Sequence, residues 1–127
     1  MTAKELRIGN WVSIEGEHHS VDGIDNSHYG DKAITTPKLD MIYHFHEIKP
    51  IPITEEWLIK FGFDKISMAK RVVYRFGNAT QRLQFTFDES VYRTRFNGNS
   101  LTVDRPKYIH QLQNLYFALT GTELEMK

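Results

Sequence analysis

Between residues 71 and 103 large apolar side chains recur at every second position, in runs separated by short turn-forming clusters. This alternation constrains the fold more than any other feature, because a period of two marks a strand with one buried and one open face. The runs cover residues 71–76, 82–88, 91–96 and 100–103, with breaks at 77–81, at Glu89 and Ser90, and at Asn97, Gly98 and Asn99. Breaks this short, above all Asn-Gly, join neighbouring antiparallel strands, so the stretch is predicted to be an antiparallel sheet of about four strands. Val72, Tyr74, Phe76, Leu83, Phe85, Phe87, Tyr92, Phe96, Leu101 and Val103 fall on one face of it, and that apolar face needs a cover.

The opposite face collects Arg71, Val73 and Arg75 from one strand, Arg82, Gln84 and Thr86 from the next, and Val91, Arg93 and Arg95 from the third. Five arginines therefore share one surface, on which no Asp or Glu is expected before Asp88. Arginine suits phosphate because its planar guanidinium stays charged and presents several donors in a fork. Arg71, Arg75, Arg82, Arg93 and Arg95 are accordingly the candidate ligand-binding residues, for an anionic small ligand, a nucleotide or an acidic protein surface. The same residues also fit the solvated outer face of an antiparallel sheet. A sheet that binds RNA displays aromatics for base stacking, and here the aromatics lie on the core face.

Charge counted by segment supports a charged partner although the net charge is zero. Residues 1–64 carry 6 Lys and Arg against 11 Asp and Glu, whereas residues 65–107 carry 9 against 3. Such a split fits a polyanionic or phosphate ligand, and it equally fits a homo-oligomer in which unlike surfaces meet. At 127 residues the chain fits a single domain, divided into a β-rich segment 1–49 and a segment 50–127 of helix, sheet and helix. No apolar run reaches the length of a membrane span, and residues 1–10 lack the apolar stretch of a signal peptide, so a cytoplasmic location without membrane contact is expected. With no cysteine there is no disulfide, thiolate nucleophile or cysteine metal site.

The N-terminal segment reads as a small β-meander, with strands over residues 10–14, 19–24 and 32–35 and a further strand over 41–48. Gly16, Gly23 and Gly30 mark the turns, and Trp11, Val12 and Ile14 are expected to seed the core. Pro50 and Pro52 stop regular pairing because proline has no N–H to give a ladder. His44 and His46, two apart on a strand, point to one face and are a suggestive pair for a metal. No third ligand is identifiable: His18, His19 and His28 could approach in three dimensions, and Glu47, adjacent in sequence, faces the opposite side of an ideal strand, so the histidines read as solvent-facing and neither metal nor cofactor is assigned. No patterned loop for nucleotide binding or catalysis is present. His44, His46 and His110 are the best candidates for chemistry but lack an identifiable nucleophile or carboxylate partner, and the chain reads as non-enzymatic.

Two helices are predicted. Residues 54–61 begin with Thr54 as N-cap and Glu55 and Glu56 in the first turn, and end at Gly62. Residues 107–120 carry Ile109, Leu112, Leu115, Tyr116 and Leu119 as one apolar stripe, started by Pro106 and ended by Gly121. His110, Gln111, Gln113 and Asn114 lie off that stripe and read as a solvated face or a partner surface.

The segments IKPIPITEEWLIKFGF (48–63) and YIHQLQNLYFALTGTEL (108–124), with LRIGNWV (6–12), resemble an uncharacterised family of small proteins from Bacteroidetes genomes and their phages and prophages. They cover about a third of the chain. The resemblance implies a phage-type accessory protein acting inside a bacterial cell, and it carries no functional residues with it. Together these readings give an α+β fold: a β-meander, a short helix, and an antiparallel sheet covered by a C-terminal helix. The expected function is an accessory binding protein that sequesters an anionic, nucleotide-type ligand, such as a host defence signal. The alternative is an interaction module that binds an acidic host protein or itself.

Overall fold

The computed structural model describes residues 6–28, 31–36, 39–44, 47–68, 71–77, 82–87, 93–97, 99–100 and 106–126. The chain is α+β, with eleven strands in three antiparallel sheets and two helices among these residues. It divides into two compact units, Met1–Pro52 with Lys107–Leu115 and Ile53–Pro106 with Tyr116–Lys127.

In the first unit β1 (Trp11–Ile14) and β2 (Glu17–Ser20) form a hairpin in which Ile14 faces Glu17 across a two-residue loop. Glu15 and Gly16 both take positive φ, 52° and 82°, the backbone that lets a two-residue turn follow the twist of its strands. Strand β6 (Ile48–Lys49) pairs with the other side of β1 and ends next to Pro50. A separate sheet joins β3 (Gly23–His28), β4 (Asp31–Thr36) and β5 (Leu39–His44). Leu6, Val12, Ile14, Val21, Ile34 and Ile48 form the core of this unit, with Ile24 packed against it.

Three expectations for this segment are corrected. The strand expected over 19–24 is two strands in different sheets, because Val21 leaves the ladder: its N–H donates to the Asn10 carbonyl at 2.8 Å and its own carbonyl accepts from Gly9 N–H at 2.7 Å. Trp11 is half-buried rather than core, since β1 alternates and turns Val12 and Ile14 inward instead. The strand expected over 41–48 is β5 followed by β6, with Phe45 and His46 outside the described residues.

The second unit opens with α1 (Glu55–Lys60), whose N-cap Thr54 accepts a hydrogen bond from Trp57 N–H at 3.4 Å. Its end is a complete Schellman motif, in which Gly62 at φ +92° lets its N–H reach the Ile59 carbonyl and the Phe63 N–H reach that of Leu58, both at 2.9 Å. The motif turns the chain so that Phe61 and Phe63 are both buried. The sheet follows in the order β11–β10–β9–β8–β7, from β7 (Asp64–Met68), β8 (Arg71–Gly77), β9 (Arg82–Phe87), β10 (Arg93–Phe96) and β11 (Asn99–Ser100). It has five strands rather than about four. The added one is β7, whose residues Asp64, Lys65, Ile66, Ser67 and Met68 bring two large apolar side chains and so little visible alternation.

Helix α2 (Ile109–Thr120) starts two residues later than expected and places its first half in one unit and its second half in the other. Gln111 helps fix the start: its Oε1 accepts from the N–H groups of Lys107 at 2.9 Å and Tyr108 at 3.3 Å, as a residue in the first helical turn does when it reaches back. In the second unit Tyr116 meets Phe76 edge-on at 5.3 Å, and Phe76 lies against Phe63 at 5.2 Å, so the second half of α2 packs on the apolar face of the sheet through Tyr116.

The polar side of α2 is not a solvated face. His110 and Gln113 are buried, and Gln113 bridges two backbone groups of the N-terminal segment, accepting from Trp11 N–H at 2.8 Å and donating to the Gly9 carbonyl at 2.9 Å. Asn114 Oδ1 accepts from Asn10 Nδ2 at 3.0 Å and from Arg7 Nη1 at 3.1 Å, while Asn10 Oδ1 accepts from the Arg7 N–H at 2.7 Å. The amides of the helix do for the turn at residues 7–11 what a neighbouring strand would do: they pair with its backbone groups.

The arginine face of the five-stranded sheet

Residues directly opposite in an antiparallel ladder share a face, so the register decides which side chains are neighbours. Across β8 and β9, Val72 faces Phe87, Tyr74 faces Phe85 and Phe76 faces Leu83, while Val73 faces Thr86, Arg75 faces Gln84 and Gly77 faces Arg82. Across β9 and β10, Arg93 faces Thr86 and Arg95 faces Gln84. All five candidate arginines, Arg71, Arg75, Arg82, Arg93 and Arg95, therefore occupy positions of one face. The other face carries Tyr74, Phe76, Leu83 and Phe96. Tyr92, Val91, Leu101 and Val103 lie outside the described residues.

The face is ordered in rows. One row runs across all five strands as Asp64, Arg75, Gln84, Arg95 and Ser100. Beside it lie Gly77 and Arg82 on one side and Ile66, Val73, Thr86 and Arg93 on the other. Asp64, exposed, corrects the expectation that no acid precedes Asp88 on this face: it stands opposite Arg75 because the chain from 64 to 68 is a strand. Asp88 is outside the described residues.

Arg75, Arg82, Gln84 and Arg95 are each half-buried, and Val73 between Arg71 and Arg75 is fully buried, so the middle of this face is only partly open to water. The Nε atoms of Arg75 and Arg82 are buried and have no hydrogen-bond partner among the described residues. The Arg82 backbone is held by Asn97, whose Oδ1 accepts from Arg82 N–H at 2.8 Å and whose N–H donates to the Arg82 carbonyl at 2.9 Å. Asn97 does this at φ 53°, a conformation asparagine tolerates better than most residues.

On the opposite face Lys65 and Tyr74 are register partners beneath α1. Lys65 Nζ donates to Glu55 Oε1 at 2.7 Å. That hydrogen bond holds the Glu55 carboxyl below its ordinary value and the Lys65 ammonium above its own, and the Tyr74 hydroxyl also bonds to Glu55. Burial pushes the Tyr74 hydroxyl up, and the Glu55 charge adds to the shift. The group ties α1 to the sheet.

The histidines take other places than expected. His19 is buried on β2, not solvent-facing, because it stands opposite Val12 on the core side; its Nε2 lies 3.3 Å from Glu17 Oε2. His110 is buried and stacked on the Tyr108 ring, with centroids 6.0 Å apart. His44 stands opposite Ala33 at the end of β5, and His46 lies outside the described residues. Among the described residues no three of His, Asp and Glu are grouped to hold a metal, and no helix is long and apolar enough to cross a membrane.

Asp64 and the central place of Gln84 escaped the sequence reading. Ile66 and Met68 at alternate positions were the only local signal for β7, and Gln84 was placed on the right face without the register that sets it between two arginines. Comparison of the chain with protein-family models, curated proteins and solved structures finds no match.

Proposed function

We propose that this chain is a non-enzymatic binding protein whose arginine face takes an anionic, phosphate-bearing ligand, most concretely a nucleotide. The observation that carries this reading is the cross-strand row in which Arg75 and Arg95 flank Gln84, with Arg82 adjacent and the buried Nε atoms of Arg75 and Arg82 lacking hydrogen-bond partners among the described residues. Buried donors without acceptors are costly, and a bound oxyanion supplies acceptors for them. The resemblance to proteins of Bacteroidetes and their phages supports a finer version, in which the ligand is a nucleotide signal of a host defence pathway held out of circulation.

The test is a thermal-shift screen of the full chain against mononucleotides, cyclic nucleotides, cyclic oligonucleotides and short RNA and DNA at two salt concentrations. Ligand at about 100 times its dissociation constant stabilises a fold by roughly 2.7 kcal/mol, a shift of several degrees. The reading expects a selective shift that disappears in the triple charge reversal Arg75→Glu, Arg93→Glu, Arg95→Glu; a shift that survives that variant places the ligand elsewhere. The charge split between residues 1–64 and 65–107 favours a second reading, an interaction module for an acidic protein or for its own second copy. Absence of any shift, with salt-sensitive self-association in light scattering, selects that one.

A further inference from the structure

The charges of α1 are paired within the chain, and those of the arginine face are not. Lys65 lies 2.7 Å from Glu55, and Lys60 lies 3.2 Å from Glu56. Among the described residues Arg75, Arg82 and Arg95 have no carboxylate within ion-pair distance, Asp64 included. A complementary set of charges stands at the hairpin end of the β2–β1–β6 sheet. Glu17 is opposite Ile14, Glu15 follows Ile14 in the turn, and Glu47 precedes Ile48, which is opposite Ile14 on its other side. All three glutamates are exposed, Glu17 with 76% of its side chain. Among the described residues Glu15 has no ion-pair partner, and Glu17 has only the His19 ring at 3.3 Å. Glu17 and Glu47 flank β1 as Arg75 and Arg95 flank β9, so with strands about 4.8 Å apart each array is about 10 Å wide at the backbone.

We infer that the arginine face of one copy docks the glutamate end of the β2–β1–β6 sheet of a second copy. The inference rests on the second reading above and deepens it, since it names the partner and both surfaces. Charge complementarity argues for it: guanidinium groups without carboxylates meet carboxylates without lysine or arginine, and every copy carries both arrays. With a net charge of zero, an assembly of copies accumulates no net charge to oppose its growth. The two surfaces are unlike, so the contact is heterologous, and copies add to one another until a ring closes or a chain extends. A phosphate-bearing ligand competes with the glutamates for the same arginines, so binding it releases the second copy.

The experiment is sedimentation velocity of the full chain over a range of concentrations, with folding of each variant checked by circular dichroism. The parent is expected to self-associate at low salt and to be monomeric at about 1 M salt, where the Debye length is only about 3 Å. The face reversal Arg75→Glu, Arg95→Glu and the end reversal Glu15→Lys, Glu17→Lys are each expected to weaken association at least about tenfold. An equimolar mixture of the two variants is expected to associate again, because the new lysines of one meet the new glutamates of the other. Should a reversal fail to fold, glutamine at the same two positions takes its place and is expected to weaken association at least about threefold. Loss in both variants without rescue in the mixture overturns the pairing of these two surfaces. Loss in the face variant alone overturns the glutamate end as the partner surface, and association kept in the face variant removes the arginine face from the contact; both leave self-association standing. A parent that is monomeric at every concentration and in both salts overturns the second-copy reading as well.

Discussion

The strongest test of the architecture is at Gln113, where one side chain completes two backbone groups more than 100 residues away in sequence. Gln113→Met keeps length and volume but removes both hydrogen bonds, the one accepted from the Trp11 N–H and the one donated to the Gly9 carbonyl. Gln113 is only 2% exposed, so solvent does not replace its bonds easily. A buried donor or acceptor left unpaired costs about 1–3 kcal/mol; Gly9 is exposed, so its carbonyl rehydrates and the loss is set by the half-buried Trp11 N–H, roughly 1–3 kcal/mol. For a chain of this size that corresponds to a fall in melting temperature of roughly 4–11 °C. Thermal and urea unfolding, followed by far-ultraviolet circular dichroism and by Trp11 fluorescence in a Trp57→Phe background, measures it. Gln113→Glu refines the test, because a carboxylate still accepts from Trp11 but cannot donate to Gly9 and sets a charge against that carbonyl. It is expected to be at least as destabilised at neutral pH. A Gln113→Met melting point within 3 °C of the parent refutes the argument that this amide is a buried structural bridge.

Two further outcomes follow from local geometry. Glu15→Asn is expected to stabilise the chain by roughly 0.5–1 kcal/mol, because Glu15 holds φ 52° in a two-residue hairpin turn before Gly16, where asparagine is far better suited; an unchanged urea midpoint contradicts that reading. Glu55 has its carboxyl lowered by the Lys65 hydrogen bond, so its contribution to stability is present above the ordinary glutamate value near 4.5 and is lost as pH falls through the lower folded value. Lys65 is raised, so its share is present below 10.5 and is lost as pH rises through the higher folded value. Urea midpoints between pH 3 and 7 should therefore fall less steeply with acid in Glu55→Gln than in the parent.

What could be read from residues alone was whatever repeats locally. The alternation of Val72, Tyr74 and Phe76 against Arg71, Val73 and Arg75 was enough to sort both faces of the large sheet, and Thr54 with Gly62 was enough to bracket α1. Features set by distant partners were not legible. The burial of Gln113 and His110 depends on the turn at residues 7–11, and no helical period announces it. A signal did exist: from Tyr108 to Thr122 the sequence has no charged residue, and a helix face meant for water usually carries lysine and glutamate rather than amides. The five arginines were assigned to one face, but that face was read as free of acid before Asp88 because β7, and with it Asp64, lacks the apolar pattern that reveals a strand.

Helix α2 also sets a timetable. The first unit contains Met1–Pro52 but closes only with Lys107–Leu115. During synthesis at roughly 5–20 residues per second, the N-terminal strands wait about 3–11 s for that segment, while the strands of the large sheet are being made. Until Gln113 arrives, the Trp11 N–H and the Gly9 carbonyl have only water to bond. A nascent chain stopped before residue 107 is thus expected to hold an open, protease-sensitive N-terminal half, even though every one of its strands has already been translated.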